Sequence, residues 1–94
     1  MISANAAMNE LLEYQRQTEA LSSVAERLVW DQETMMPRGA TEQRAEETAA
    51  MEAMLHERRT DPRIGEWLDI AVPQSPSEER ILALIARDYA RAGA

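Results

Sequence analysis

The 94-residue chain has no cysteine, no lysine and no phenylalanine, one histidine, three glycines and four prolines. Each shortage excludes something. Without cysteine there is no disulfide framework, no thiolate zinc site and no cysteine nucleophile, a composition that fits the cytoplasm. Without lysine there is no Schiff base and no P-loop lysine. Few glycines, few prolines and few β-branched residues leave little material for strands and tight turns. No stretch approaches the roughly 20 apolar residues of a membrane span. Residues 1–7 lack the basic start and apolar run of a signal peptide. The formal charge is −7, from 17 acidic and 10 basic side chains. An acidic chain has no electrostatic reason to hold nucleic acid or an anionic membrane, so neither is expected as a partner.

What remains is rich in helix formers: Ala, Leu, Glu, Arg, Gln and Met. From about Ala4 to Thr34, Leu11, Tyr14, Thr18, Leu21, Ala25, Leu28 and Gln32 recur at 3-4-3-4 spacing, with Leu12 and Val24 widening the stripe. This spacing predicts an amphipathic helix. Ser3 or Asn5 caps its start. Ser22-Ser23 leaves one long helix and two collinear helices both open. Pro37 ends the segment, because the residue before a proline avoids the helical region. Residues 35–39 read as a short turn, and a second helix runs from Ala40 to about Arg59. Ala45, Thr48, Met51, Met54 and Leu55 lie on one side of it, and Glu42, Glu46, Glu47 and Arg58 mostly away. The short turn makes these two helices an antiparallel hairpin.

Asp61-Pro62 is a start signal, a capping carboxylate before a proline at the first helical position. It opens a short helix to about Ala71 with Ile64, Trp67, Leu68 and Ala71 apolar. Ser75-Pro76-Ser77-Glu78 is a capping box. It opens a last helix to about Ala92, with Ile81, Leu82, Ile85 and Tyr89 as its stripe and Leu84 at the edge. The expected fold is all-α: a helical hairpin plus two further helices forming a small bundle, one domain over residues 1–94.

Chemistry is harder to find. A zinc-peptidase helix needs two histidines one turn apart with a glutamate beside the first. His56-Glu57-Arg58-Arg59-Thr60 begins that way and then places Thr60 at the second histidine position. His56 therefore reads as a helix-surface residue. A serine triad needs the same lone histidine. Asp31 and Glu33 are two apart, on different sides of a helix, and Glu46-Glu47 and Glu78-Glu79 read as surface charge. Methionines at helical spacing read as core filling rather than a binding groove. No catalytic and no metal-binding residue is assigned. The segment Trp30 to Pro37 stands apart, with a tryptophan, two acids, an amide and two methionines before a helix-ending proline. From composition it is a packed helix terminus with Trp30 as anchor. Buried in that way, Trp30 would cost about 3–5 kcal/mol on truncation to alanine.

That segment, Trp30-Asp31-Gln32-Glu33-Thr34-Met35-Met36-Pro37, resembles the early WDxxTxMP stretch of the carboxypeptidase Taq family of metallocarboxypeptidases. The likeness continues in Gly39, Glu42, Arg44 and Ala45. It returns in residues 55–68, which include Asp61, Pro62 and Trp67, and the opening helix is similar at residues 11–16. The resemblance implies a cytoplasmic, mostly helical enzyme several times longer, which trims peptide carboxyl termini with one zinc or cobalt ion. That ion is held by an HExxH helix and a later glutamate. No HExxH exists in this sequence. What matches is the family's first helices, part of the wall over a substrate groove, so Trp30, Asp31, Thr34, Met36, Pro37, Asp61, Pro62 and Trp67 carry a structural resemblance only.

The leading expectation is an amino-terminal helical fragment, or a short homologue, that holds no cofactor and is inactive alone. An end directly after a helix leans toward the fragment. Apolar faces left without partners predict self-association as a homodimer, or packing on the rest of a longer peptidase chain. The alternative is a stand-alone interaction module that takes a partner helix along the Leu11–Leu28 stripe.

Overall fold

A computed structural model describes residues 2–34 and 41–93. Among them are four α-helices and no strand: α1 (Ala4–Thr34), α2 (Thr41–Arg59), α3 (Pro62–Ile70) and α4 (Pro76–Ala92). The expected turn at residues 35–39 lies outside the described residues.

Local chemistry sets the starts. Ser3, not Asn5, caps α1: its Oγ accepts from the Ala6 amide at 3.1 Å. Asp61 caps α3 by accepting from the Arg63 amide at 2.9 Å, with Pro62 in the first turn. Ser75 caps α4 by accepting from the Glu78 amide at 3.2 Å. The Glu78 carboxylate returns to the Gln74 amide at 3.0 Å, one residue further out than a strict capping box. Helix α1 runs through Ser22-Ser23 without a break. The Ser23 hydroxyl bonds back to the Glu19 carbonyl at 3.1 Å, which satisfies it inside the helix.

Helices α1 and α2 form the expected antiparallel hairpin. Thr18 meets Arg58, Ser22 meets Arg59, and further along α1 Ala25 and Val29 lie by Leu55 and Glu52. Helix α3 crosses the first half of α1. There Leu11, Tyr14 and Ile64 are buried, with Trp67 and Leu68 of α3 and Leu82, Ile85 and Tyr89 of α4 packed around them. Gly65 permits this approach, since a Cβ there would stand 3.3 Å from the Tyr89 ring and hydroxyl.

Three expectations about faces need correction. Trp30 is not a buried anchor; it is 66% exposed. Arg58 does not point away from the hairpin; it lies half-buried across α1. On α2, Ala45 and Met54 are exposed while Leu55 is buried, and on α4 Ile81 faces outward. Arg58 turns inward because Thr18 Oγ1 and the Tyr14 carbonyl offer it acceptors, and the other differences share one cause. Neighbours cover a strip narrower than the apolar stripe, and the docking angle selects which edge of it is buried.

The molecule is long, 52 × 23 × 21 Å, with a radius of gyration of 16.5 Å. A compact chain of this length would have a radius near 12 Å. Among the described residues, no helix is long and apolar enough to cross a membrane.

Candidate functional site

The polar cluster built by this sequence sits where α1, α2 and α3 meet. Tyr14 is at its centre. Its hydroxyl donates to the Arg58 carbonyl at 2.9 Å, with Asp61 Oδ2 a weaker acceptor at 3.4 Å. The Arg58 guanidinium carbon lies 4.0 Å from the ring centroid of Tyr14, and that of Arg63 lies 5.3 Å from it. Trp67 packs on Tyr14 with centroids 5.3 Å apart, and its indole N–H donates to Glu10 Oε2 at 3.0 Å. Arg58 Nε donates to Thr18 Oγ1 at 2.9 Å, and Nη2 to the Tyr14 carbonyl at 3.1 Å. The Thr18 hydroxyl in turn donates to that same carbonyl at 3.1 Å.

Two groups here titrate away from their ordinary values. The Asp61 carboxyl is held down, first by the hydrogen bond from the Arg63 side chain and then by the Arg63 amide. The Tyr14 hydroxyl is pushed up, first by burial, against the nearby charge of Arg58. Shifted groups often mark reactive sites. Here each shift traces to a structural contact. Asp61 is spent on capping α3 and pairing with Arg63 at 2.9 Å. The cluster binds three helices together.

Beside it, α1, the end of α2 and the end of α4 enclose an open cleft of about 360 Å³. Ile64, Ile85 and Tyr89 line its apolar part, and Arg58, Arg59 and Asp88 are among its polar residues.

The sequence-predicted positions are distributed as follows. Asp61, Pro62 and Trp67 come together at the three-helix junction. Trp30 lies at the far end of α1 beside Ser23, Glu26 and Arg27. Asp31 and Thr34 are in the last turns of α1, with side chains outside the described residues, and Met36 and Pro37 lie outside them altogether. His56 is exposed on α2. Thr60, one turn on, donates its hydroxyl to the His56 carbonyl at 2.8 Å, so that position closes the helix and offers no imidazole. Among the described residues no three His, Cys, Asp or Glu side chains gather closely enough to hold a metal ion. Among the described residues, therefore, no set of side chains fits the metal that the family resemblance implies.

Sequence reasoning missed Arg58, Arg63 and Glu10. For Arg58 a signal was available: Thr48, Met51, Leu55 and Arg58 follow the same 3-4-3 spacing as the apolar stripe. For Glu10 and Arg63 no signal was present, because their partners depend on how α3 crosses α1.

A family model described as carboxypeptidase Taq (M32) metallopeptidase matches residues 10–94. The chain belongs to this family. It is also 52% identical over 64 residues to thermostable carboxypeptidase 1 of Thermus thermophilus; the match covers 68% of this chain and 12% of that enzyme. The chain thus spans about an eighth of the length of this M32 relative. The M32 match includes the whole Tyr14–Arg58–Asp61–Arg63–Trp67 junction and all of α4.

Proposed function

We propose that the chain is the amino-terminal helical part of an M32 metallocarboxypeptidase, that it works in the cytoplasm, and that it has no peptidase turnover alone. One observation carries the reading: an M32 match across residues 10–94 falls on a sequence with a single histidine. Metal-assisted hydrolysis needs an ion held in an open coordination site and a base beside the bound water. The sequence has no second imidazole and no HExxH, so on this reading the zinc- or cobalt-binding groups belong to further chain. In that enzyme these helices form a wall, and the Tyr14 junction fixes the angle between α3 and the hairpin. The cysteine-free composition supports the cytoplasm.

The test is direct. The purified 94-residue chain, incubated with zinc or cobalt and a short peptide, should release no carboxyl-terminal amino acid above the blank. Metal-dependent release would overturn the reading. The gene should also continue past the codon for Ala94 into an HExxH helix. A stop codon there would move the assignment to a stand-alone interaction module.

A further inference from the structure

We propose that the cleft between α1 and the carboxyl ends of α2 and α4 binds a free α-amino acid with an apolar side chain. Three kinds of side chain line it. Ile85 and Tyr89, one turn apart on α4, are half-buried, and with the buried Ile64 of α3 they form its apolar wall. Arg59 closes α2 and Arg91 lies in the last turn of α4, so two guanidinium groups stand at the cleft. Glu19 of α1 and Asp88 of α4 bring a carboxylate from each side. All four charged residues are exposed. The space is about 360 Å³, at the small end of the roughly 300–1,000 Å³ of ligand pockets.

The deciding observation is that these charges do not pair across the cleft. Among the described residues no ion pair joins Arg59 or Arg91 to Glu19 or Asp88. Arg59 has a long hydrogen bond to Ser22 Oγ at 3.4 Å. Asp88 has its sequence neighbour Arg87 at 3.8 Å. The Glu19 carboxylate and the Arg91 guanidinium have no partner among the described residues. Arg58 lines the same cleft, but its guanidinium is taken up by Thr18 and the Tyr14 carbonyl. Donors and acceptors of both signs are therefore open to a ligand beside one apolar wall.

A zwitterion matches this set. Its carboxylate takes guanidinium donors. Its ammonium takes the carboxylates and the partial negative charge where two helices end. Its side chain takes the apolar wall. A plain anion would leave Glu19 and Asp88 opposing it, and a plain cation would leave Arg59 and Arg91 opposing it. The carboxyl end of a peptide has the acid beside its last side chain but an amide in place of the ammonium. The family supplies a source for such a ligand, because each turnover of a carboxypeptidase releases one free amino acid. Only that source rests on the reading of this chain as part of a carboxypeptidase; the site does not.

The experiment titrates the 94-residue chain, its helicity checked by circular dichroism, with L-leucine. The readout is the NMR signals of the Ile64 and Ile85 methyl groups and the Tyr89 ring. Saturable shifts are expected, with a dissociation constant on the order of millimolar for so small a ligand. Isoamylamine lacks the carboxylate of leucine and 4-methylpentanoate lacks its ammonium; each should bind at least about fivefold more weakly. Arg91→Gln and Glu19→Gln should each weaken leucine to a similar degree, whereas Arg16→Gln, off the cleft, should leave it unchanged. The analogue series uses the unaltered chain, so it decides even where a variant unfolds. Absence of saturation with leucine would overturn the proposal, as would equal binding of leucine and either single-charge analogue. Tighter binding of N-acetyl-leucine than of leucine would hand the cleft to a peptide end and overturn it too. No arm reads turnover, so a failure here leaves the inactivity of the isolated chain to the peptidase assay.

Discussion

Arg58→Ala should be among the most damaging single changes at a position outside the apolar core. The arginine gives two short hydrogen bonds across the hairpin, 2.9 Å to Thr18 Oγ1 and 3.1 Å to the Tyr14 carbonyl. Its guanidinium also sits 4.0 Å from the Tyr14 ring centroid. Each of those bonds in a half-buried setting is worth about 1 kcal/mol. The cation–π contact adds about 0.5–1 kcal/mol. Freeing a long side chain from its fixed rotamer returns about 1 kcal/mol. The net cost is then about 2 kcal/mol, a large share of a stability on the order of 5–10 kcal/mol for a chain this size. Urea unfolding followed by helical circular dichroism reads it as a shift of midpoint at constant slope. Arg58→Lys keeps the charge over the ring but loses the planar fork, so it should recover about half. Arg16→Ala, at a solvated position beside Glu13 on α1, is the control and should cost less than about 0.5 kcal/mol. If Arg58→Ala behaves like the control, the guanidinium does not hold the hairpin and the reasoning fails.

The other predictions follow from the same contacts. Ile64→Ala removes a side chain that is 1% exposed and should cost about 2–5 kcal/mol. Trp30→Ala should cost at most about 2 kcal/mol, since only about a third of its area is covered and burial contributes about 25 cal/mol per Å²; a loss above that range in denaturant melts would contradict the exposed placement. Asp61→Ala removes the α3 cap and should cost about 1 kcal/mol. Asp61 also sets an acid limb. Its carboxyl titrates below the ordinary range when folded, so its stabilisation is full above the unfolded value near 3.9 and is lost as pH falls through the lower folded value. Melts of the wild type below about pH 4 should therefore steepen in a way that Asp61→Asn abolishes; identical acid limbs would refute the assignment.

How much of this was legible in the sequence depends on the range of the physics. Asp61-Pro62 and Ser75-Pro76 fix the starts of α3 and α4 because a cap is made within three residues of itself. Of the α1 stripe, Leu11, Tyr14, Thr18 and Ala25 are buried, because a long helix with a 3.6-residue period has one face to hide, whereas Leu12, Leu21 and Leu28 are half-buried and Val24 is exposed. Ile81 and Leu82 could not be separated in the same way. They are neighbours on one broad stripe, and the angle at which α4 lies on α3 decides which of them turns inward. Trp30 failed for a related reason. A tryptophan near a helix end is an anchor only when a neighbour reaches it, and the described part of α2 leaves its ring two-thirds in solvent.

Arg58 shows the limit most clearly. Charge suggested the solvent, while spacing put it on the stripe after Thr48, Met51 and Leu55. The conflict resolves because an arginine can lay its stem along an apolar face and still satisfy its head, provided acceptors wait there. Thr18 and the Tyr14 carbonyl supply them from 40 and 44 residues away. Those acceptors explain why this group of titratable side chains is a brace. Asp61 accepts from Arg63 and caps α3, Tyr14 donates to a backbone carbonyl, and Arg58 is fixed by two acceptors and a ring. A group that acts on a substrate needs a lone pair or proton directed at open space, and here those of Asp61, Tyr14 and Arg58 are turned onto one another. What these contacts fix is the angle at which α3 lies on the α1–α2 hairpin, and with it the place of α4.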